Sequence, residues 1–256
     1  MDIEIDVNSS SWDKEVERKN YWTKIVGPET IQKARDGILD LRIGPEKIIS
    51  SNWIKYIKSP VLALAAGGGQ QGPILSAANF DTTVFDLSKK QLEQDQIAAK
   101  EYGLNIKTVW GDMSNLAVFE DEAFNTIINP ASLNFVKDLT QVYNEVHRVL
   151  TPGGAFMFNI ANPIMYMFDP KKMDKNKLKV KYTIPFDATI AHSKKQLDKM
   201  IKENDTVEFS HTLEEVFGSL CKTGFTIHDM YSEASSFDMI DSFIHDCYLT
   251  ILAIKG

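Results

Sequence analysis

The chain has 256 residues, of which 43% are hydrophobic and 25% charged, and its formal net charge is −7. This is the composition of an ordinary globular protein with a substantial core, and it argues against a disordered chain. The acidic balance argues against a dedicated nucleic-acid-binding surface, because affinity for phosphates depends on clustered Lys and Arg.

The N-terminus and the cysteines predict a cytoplasmic location. The first residues, 1–6, lack the basic and apolar regions of a signal peptide, and no apolar run is long enough to span a bilayer. Cys221 and Cys247 are too few for a disulfide framework, and no Cys or His stands near them at metal-ligand spacing. We therefore expect no metal site, no membrane partner and two buried thiols.

Residues 1–58 have helical patterning, so we predict a helical N-terminal cap. Tyr21 and Trp22 of this cap could close over a ligand, although burial in the core is the more common fate of such aromatic residues. No repeat and no Gly/Ser linker divides the chain, which favours one domain over residues 1–256.

An apolar run that breaks into a glycine cluster follows the cap. Residues 61–64 have the pattern of a strand buried on both faces of a parallel sheet. Gly67, Gly69 and Gly72 then fall at G-x-G-x-x-G spacing, which permits a sharp turn and a close backbone approach to a nucleotide-like ligand. An ordinary strand-to-helix turn is the alternative.

Asp86 ends a second short strand, residues 82–86. Its distance from the glycines is about that at which dinucleotide-binding folds place a carboxylate on ribose hydroxyls. A helix cap or a solvated loop acid is the alternative. Ser88 and Gln91 match a capping box that opens the next helix, and Gly103 is expected to end it.

Strand and helix patterns alternate from residue 61 onward, which indicates βαβ units in a parallel sheet. The further predicted strands are residues 106–110, 124–128 and 155–160, with a helix before the last of them that Thr151-Pro-Gly-Gly154 ends. A helix over residues 212–221 and strands over 225–231 and 248–254 then predict an antiparallel edge at the C-terminus.

Residues 163–205 interrupt this pattern and are predicted to be an insertion over the sheet. Lysines crowd it at positions 171, 172, 175, 177, 179, 181, 194, 195, 199 and 202. A solvated face of a lid is one interpretation, and attraction of an acidic substrate is the other.

Four segments together resemble the class I S-adenosylmethionine (SAM)-dependent methyltransferases: the glycine loop, Asp86, Gly111-Asp-Met113 after the third strand, and Leu150-Thr-Pro-Gly-Gly154 before the fifth. The resemblance covers residues 61–162 well and residues 209–256 loosely. It implies an α/β fold with a doubly wound, mostly parallel seven-stranded sheet and an antiparallel C-terminal edge strand. It also implies SAM as the cofactor. Residues 59–162 would form the SAM-binding core, and residues 206–256 would complete the sheet.

The resemblance also implies site residues. Gly67 and Gly69 would lie against the methionine and ribose portion of SAM, and Asp86 would bind the ribose hydroxyls. Leu87 and Met113 would flank the adenine, and Asp112 would accept a hydrogen bond from its exocyclic amine. Asn129 and Pro130 would lie near the sulfonium. The complete predicted cofactor set is Ala65, Gly67, Gly69, Gln71, Asp86, Leu87, Asp112, Met113, Asn129 and Pro130.

Two residues depart from the family pattern. Ala63 stands where the family usually has an acid, and Ala65 where it usually has glycine. The chain resembles a subgroup with a Gly-Gly-Gly-Gln-Gln loop, so we expect Gln70 and Gln71 to supply the missing polar contacts.

The resemblance predicts methyl transfer to a small-molecule acceptor, in a pocket formed by the cap and the insertion. The sequence assigns no catalytic residue. His211 and Asn129 are the candidates, and a solvated or capping role is the alternative for His211. A nicotinamide-dependent Rossmann oxidoreductase and a non-catalytic SAM-binding module remain the alternative functions, and the oligomeric state stays open.

Overall fold

The structure is a computed structural model, and it describes residues 3–173, 175, 177–235 and 238–256. Within these residues seven strands form one sheet in the order β3-β2-β1-β4-β5-β7-β6. The strands are β1 Val61–Leu64, β2 Thr82–Asp86, β3 Ile106–Trp110, β4 Phe124–Asn129, β5 Leu150–Ala161, β6 Phe225–Glu233 and β7 Tyr248–Lys255. The first five are mutually parallel, and β7 runs antiparallel to β5 and β6. The predicted α/β fold with a mostly parallel seven-stranded sheet is confirmed, and the C-terminal hairpin inserts β7 between β5 and β6.

Helices connect and cover these strands. The α-helices are α1 Ile3–Glu17, α2 Pro28–Arg35, α3 Ser51–Ile54, α4 Gln71–Ala77, α5 Lys89–Tyr102, α6 Leu139–Val149, α7 Pro170–Met173, α8 Ala188–Ala191, α9 Lys194–Glu203, α10 Ser219–Lys222 and α11 Asp238–Asp241. Short 3-10 turns span Tyr21–Thr23, Leu133–Phe135 and Pro163–Met167, and a π-helical turn spans Glu214–Gly218. None of the described helices is long and apolar enough to cross a membrane.

The core lies on both faces of the sheet. Successive side chains of a strand point to opposite faces, so Leu62 and Leu64 enter one apolar cluster while Val61 and Ala63 enter the other. Ala63 has no exposed surface and packs in a cluster with Val84 and its neighbours. An acid at this position would be buried among apolar side chains, which accounts for the alanine.

Three local details differ from the sequence predictions. Strand β5 begins at Leu150 instead of residue 155, because Leu150 already pairs with Phe124 of β4. The pairing is irregular after this point, and the next paired residues are Ala155 and Thr126. Ser88 caps α5 by accepting from the amide of Gln91, but the side-chain oxygen of Gln91 has no hydrogen-bond partner. Cys247 is buried as expected, whereas Cys221 is exposed on α10.

Helix α1 lies across the edge of the sheet where the parallel strands end. At one end of the helix Asn8 exchanges two hydrogen bonds with the backbone of Val207, at 3.0 and 2.7 Å. Further along, the Ser9 hydroxyl donates to the carbonyl of Leu87 at 3.0 Å, and Asp13 accepts from the Ser88 hydroxyl at 2.6 Å. These contacts close the N-terminal cap over the loop that follows β2 and hold it against the segment around Val207.

Candidate active site

The glycine loop after β1 is attached to the acid at the end of β2. The amide of Gly67 donates to Asp86 Oδ2 at 2.9 Å, and the amide of Ser88 donates to Asp86 Oδ1 at 2.8 Å. Burial raises the pKa of Asp86 to about 6, against the lowering effect of these amide donors. A Cβ on Gly67 would lie 2.7 Å from the Cβ of Gln91, so this glycine lets the loop pack against α5.

A second acid, Asp95 on α5, holds the next turn of the loop. Its Oδ2 accepts from the amides of Gly68 and Gly69 at 3.0 and 3.2 Å. Asp95 has no exposed surface, and burial raises its pKa to about 8. A Cβ on Gly72 would lie 2.8 Å from Asp95 Oδ1, which explains the third glycine. Sequence reasoning missed Asp95 because an acid in the middle of a helix carries no local signal.

Ala65 adopts a left-handed backbone conformation with φ of 47°. Its amide donates to the carbonyl of Phe85 at 2.7 Å, which keeps the loop in line with β2. A side chain in this region costs roughly 1–2 kcal/mol relative to glycine. The family's usual glycine is therefore replaced here at a position whose backbone still favours glycine.

A cavity of about 910 Å³ opens at the carboxyl ends of the strands. Eight of the ten predicted cofactor residues line it: Ala65, Gly67, Gln71, Asp86, Leu87, Asp112, Met113 and Pro130. The carboxylates of Asp86 and Asp112 stand at the ends of the paired strands β2 and β3. This wall offers carboxylate acceptors beside apolar side chains, and this combination fits a nucleoside, whose hydroxyls and amine donate hydrogen bonds.

Two predicted cofactor residues lie behind the cavity wall. Gly69 packs against the cap, where a Cβ would lie 2.8 Å from Ile25 Cγ1. Asn129 is fully buried and donates from Nδ2 to the Leu64 carbonyl at 2.9 Å and to Ser132 Oγ at 2.7 Å. Asn129 therefore connects β4 to β1 and fixes the turn that carries Pro130.

His211 does not line the cavity either. Only 4% of its surface is exposed, its Nε2 has no hydrogen-bond partner, and burial lowers its pKa. It is buried beside the Leu133–Val136 turn, and it is neither solvated nor placed for contact with a ligand in the cavity.

Gln70 and Gln71 tie the loop to the N-terminal cap. Gln70 Nε2 donates to the Tyr21 carbonyl at 2.9 Å and to the Lys24 carbonyl at 3.3 Å. Gln71 Nε2 donates to the Arg42 carbonyl at 2.9 Å, and its side chain also borders the cavity. The amide nitrogens of both glutamines are thus used within the protein.

The cap and the insertion supply the rest of the cavity wall. Trp12 and Trp22 line it from the cap, and Trp12 meets Phe135 edge to face at a centroid distance of 5.4 Å. Tyr21 is instead 55% exposed. From the segment after β5 come Met165, Tyr166 and residues 204–206, whereas none of the insertion's clustered lysines lines the cavity.

A cluster of polar side chains, which the sequence did not reveal, lies at the end of the cavity next to the turn after β4. It consists of Asn134, Tyr166 and Glu208. Tyr166 donates to Glu208 Oε2 at 2.7 Å and accepts from Asn134 Nδ2 at 2.9 Å. Tyr248 at the start of β7 lines the same wall. Burial, together with the nearby Glu208 carboxylate, raises the pKa of Tyr166 well above its usual value. These residues are far apart in sequence, so no spacing pattern connects them.

Comparisons with known proteins agree with this architecture. The family described as "Methyltransferase domain" matches residues 62–158. An uncharacterized methyltransferase of Bacillus subtilis (strain 168), YbaJ, is 40% identical over 239 residues, which are 93% of this chain and 93% of that protein.

Solved structures of methyltransferases share the fold. A SAM-dependent methyltransferase from Mesorhizobium loti aligns with a TM-score of 0.57 at 18% identity, over 76% of this chain and 90% of its own. One from Methanosarcina mazei aligns with a TM-score of 0.54 at 16% identity, over 81% and 98%. Whether the Gly-Gly-Gly-Gln-Gln loop marks a subgroup stays a prediction. The sequence match to YbaJ over nearly the whole of both chains, together with the fold, shows that this chain belongs to the class I SAM-dependent methyltransferases.

Proposed function

We propose that this methyltransferase acts on a small-molecule acceptor that binds beside SAM in the 910 Å³ cavity. The observation that carries the proposal is that α1, residues 204–206 and Glu208 form part of the wall of that cavity. Its volume falls within the range of about 300–1,000 Å³ typical of small-molecule sites. A macromolecular acceptor would have to displace α1, which hydrogen bonds anchor at Val207 and at Leu87.

The residue roles implied by the family are part of the proposal. Asp86 would accept from the ribose hydroxyls, and Asp112 from the adenine amine, with Leu87 and Met113 on the two faces of the ring. The residues proposed to border the methionine part and the sulfonium are Ala65, Gly67, Gln71 and Pro130. Gly69 and Asn129 would act from behind the wall, by fixing the loop and the turn.

SAM supplies a methyl group that its sulfonium already activates. The protein therefore has to align the acceptor and exclude water, and alignment alone can contribute roughly 7–11 kcal/mol. Trp12 and Phe135 would exclude water from the region between α1 and the turn after β4. The methyltransferase relatives favour this chemistry over nicotinamide-dependent oxidation, and a 910 Å³ cavity that extends from the strand ends to α1 favours an acceptor over a purely regulatory role.

The proposal is tested by supplying SAM with a radiolabelled methyl group together with a bacterial extract separated by size. We expect label in a small molecule of the filtrate that chromatography separates from SAM, and little of this product when the Asp86→Asn variant replaces the wild type. Label found only in protein or nucleic acid would contradict a small-molecule acceptor, as would binding of SAM without label in any fraction.

A further inference from the structure

We infer that the methyl acceptor is a basic amine and that Glu208 binds its nitrogen. The inference rests on the proposed function, because it concerns the acceptor end of the same cavity. That end is defined here by Asn134, Tyr166, Glu208 and Tyr248.

The first support is the charge of the cavity wall. Its acids are Glu4, Glu15, Asp86, Asp112, Asp138, Asp205 and Glu208, and its cations among the described residues are Arg18 and Lys137. Both cations are already paired, Arg18 with Glu15 at 2.7 Å and Lys137 with Asp187 at 3.0 Å. A carboxylate or phosphate acceptor would meet repulsion with no free cation in this described wall, whereas a protonated amine would be attracted.

The second support is the position of Glu208. Its Oε2 accepts from Tyr166 and its Oε1 accepts from Thr206, at 2.7 and 2.9 Å. Within the described part of the chain no Lys, Arg or His forms an ion pair with it. A half-buried carboxylate of this kind is stabilised by a cationic ligand.

The third support is the aromatic character of the same region. Trp12, Phe135, Tyr166 and Tyr248 line the cavity there. Aromatic faces attract cations by roughly 0.5–2 kcal/mol, and aromatic cages recognise substituted ammonium groups. A neutral alcohol or thiol would gain no cation–π attraction here.

In methyl transfer to an amine, a residue of this chain can take up the proton that the amine loses. The bound ammonium first gives a proton to the Glu208 carboxylate, which passes it to water. The nitrogen lone pair freed in this way forms the new bond to the methyl carbon, and the sulfur keeps the electron pair of the bond that breaks. The methylated nitrogen carries the positive charge as a protonated amine. Tyr166 is a positioning residue, since it holds Glu208 by the 2.7 Å hydrogen bond.

The experiment uses the labelled small-molecule filtrate and separates its products on cation- and anion-exchange resins at neutral pH. SAM is itself cationic, so unreacted SAM is first removed by chromatography against a SAM standard, and we expect the remaining label in the cationic fraction. A label confined to neutral or anionic products overturns the amine inference and leaves the proposed function intact. No labelled small molecule at all overturns both.

Variants then test the residues with the purified labelled acceptor. Glu208→Gln keeps the size of the side chain and removes its charge, so kcat/KM should fall at least about a hundredfold with SAM affinity unchanged. Glu120→Gln, the same change at an exposed acid outside the cavity, should have no effect. Tyr166→Phe keeps the ring and removes the hydrogen bond to Glu208, so it should raise the KM for the amine while SAM affinity and the melting temperature stay unchanged, which a structural role alone would not do. Equal kcat/KM in wild type and Glu208→Gln overturns the inference.

Discussion

The carboxylate of Asp95 accepts a hydrogen bond from the backbone amide of Gly68 at 3.0 Å, and the same oxygen accepts from Gly69 at 3.2 Å. The glycine loop is thus fixed by a buried acid on α5, while the family's usual acid on β1 is replaced by the apolar Ala63. The conformation of the cofactor loop depends on a residue outside the loop.

Asp95 should make stability depend on pH. Its pKa is raised from 3.8 to about 8 in the folded protein, so between these values the folded state holds a proton that the unfolded state has lost. Stability therefore falls as pH rises from about 4 towards 8. Asp95→Asn keeps an oxygen acceptor and removes this titration. Urea unfolding at several pH values should give a flatter dependence for the variant, and equal slopes would contradict this role.

Asp86→Asn should weaken SAM binding by at least about tenfold, or about 1.4 kcal/mol, because the amide is a poorer acceptor for ribose hydroxyls. Isothermal titration calorimetry measures the change, and thermal melting checks that the variant folds. Asp81→Asn, at an exposed acid just before β2, is the matched control and should bind normally. Unchanged affinity in Asp86→Asn would rule out the ribose role.

SAM affinity of the wild type should fall below pH 6. Burial raises the pKa of Asp86 to about 6, and the protonated carboxyl is a poorer acceptor for the ribose hydroxyls than the carboxylate. Affinity should level off above that pH. An Asp86→Asn variant with the same pH dependence would show that another group is responsible.

Ala65→Gly should stabilise the fold by up to about 1 kcal/mol, because glycine adopts the left-handed conformation at φ 47° without steric cost. Ala66→Gly is the matched control. Ala66 is buried and does not have a positive φ, so its loss of a methyl group should destabilise by roughly 1 kcal/mol. Denaturant unfolding gives both values, and the same sign for both variants would contradict the account of the loop.

Asn8→Ala should loosen the closure of α1 over the cavity. The variant leaves the backbone N–H and carbonyl of Val207 without their side-chain partners, at a cost of about 1–3 kcal/mol. Amide hydrogen exchange over α1 should become faster by roughly one to two orders of magnitude, since 1.4 kcal/mol is a factor of ten. Ser10→Ala, at an exposed position of the same helix, should leave the exchange unchanged. Equal protection of α1 in Asn8→Ala and wild type would show that this contact does not hold the cap.

The sequence predicted the cofactor side of the cavity well, because the patterns that mark it are local. A buried apolar strand followed by glycines, and acids at the ends of β2 and β3, are recognisable within a few residues. Eight of the ten residues predicted to contact the cofactor do line one cavity. Gly69 and Asn129 were harder to place, because whether a loop residue faces a ligand or the protein behind it depends on packing.

The acceptor end could not be predicted because it joins distant segments. Tyr166 and Glu208 are separated by 42 residues, and Asn134 comes from a third segment. The sequence singled out His211, three positions after Glu208, yet the extended chain there turns the two residues to different surroundings. The lysines of the insertion stand out in the sequence by their number, but none of them lines the cavity.

The crystal structure of the protein with S-adenosylhomocysteine tests the central claim most directly. We predict that its ribose contacts Asp86, that its adenine lies between Leu87 and Met113, and that its sulfur faces the cavity space bordered by Tyr166 and Glu208. A ligand bound outside the cavity, or a sulfur that faces bulk solvent beyond α1, would contradict both the site and the enclosed small-molecule acceptor.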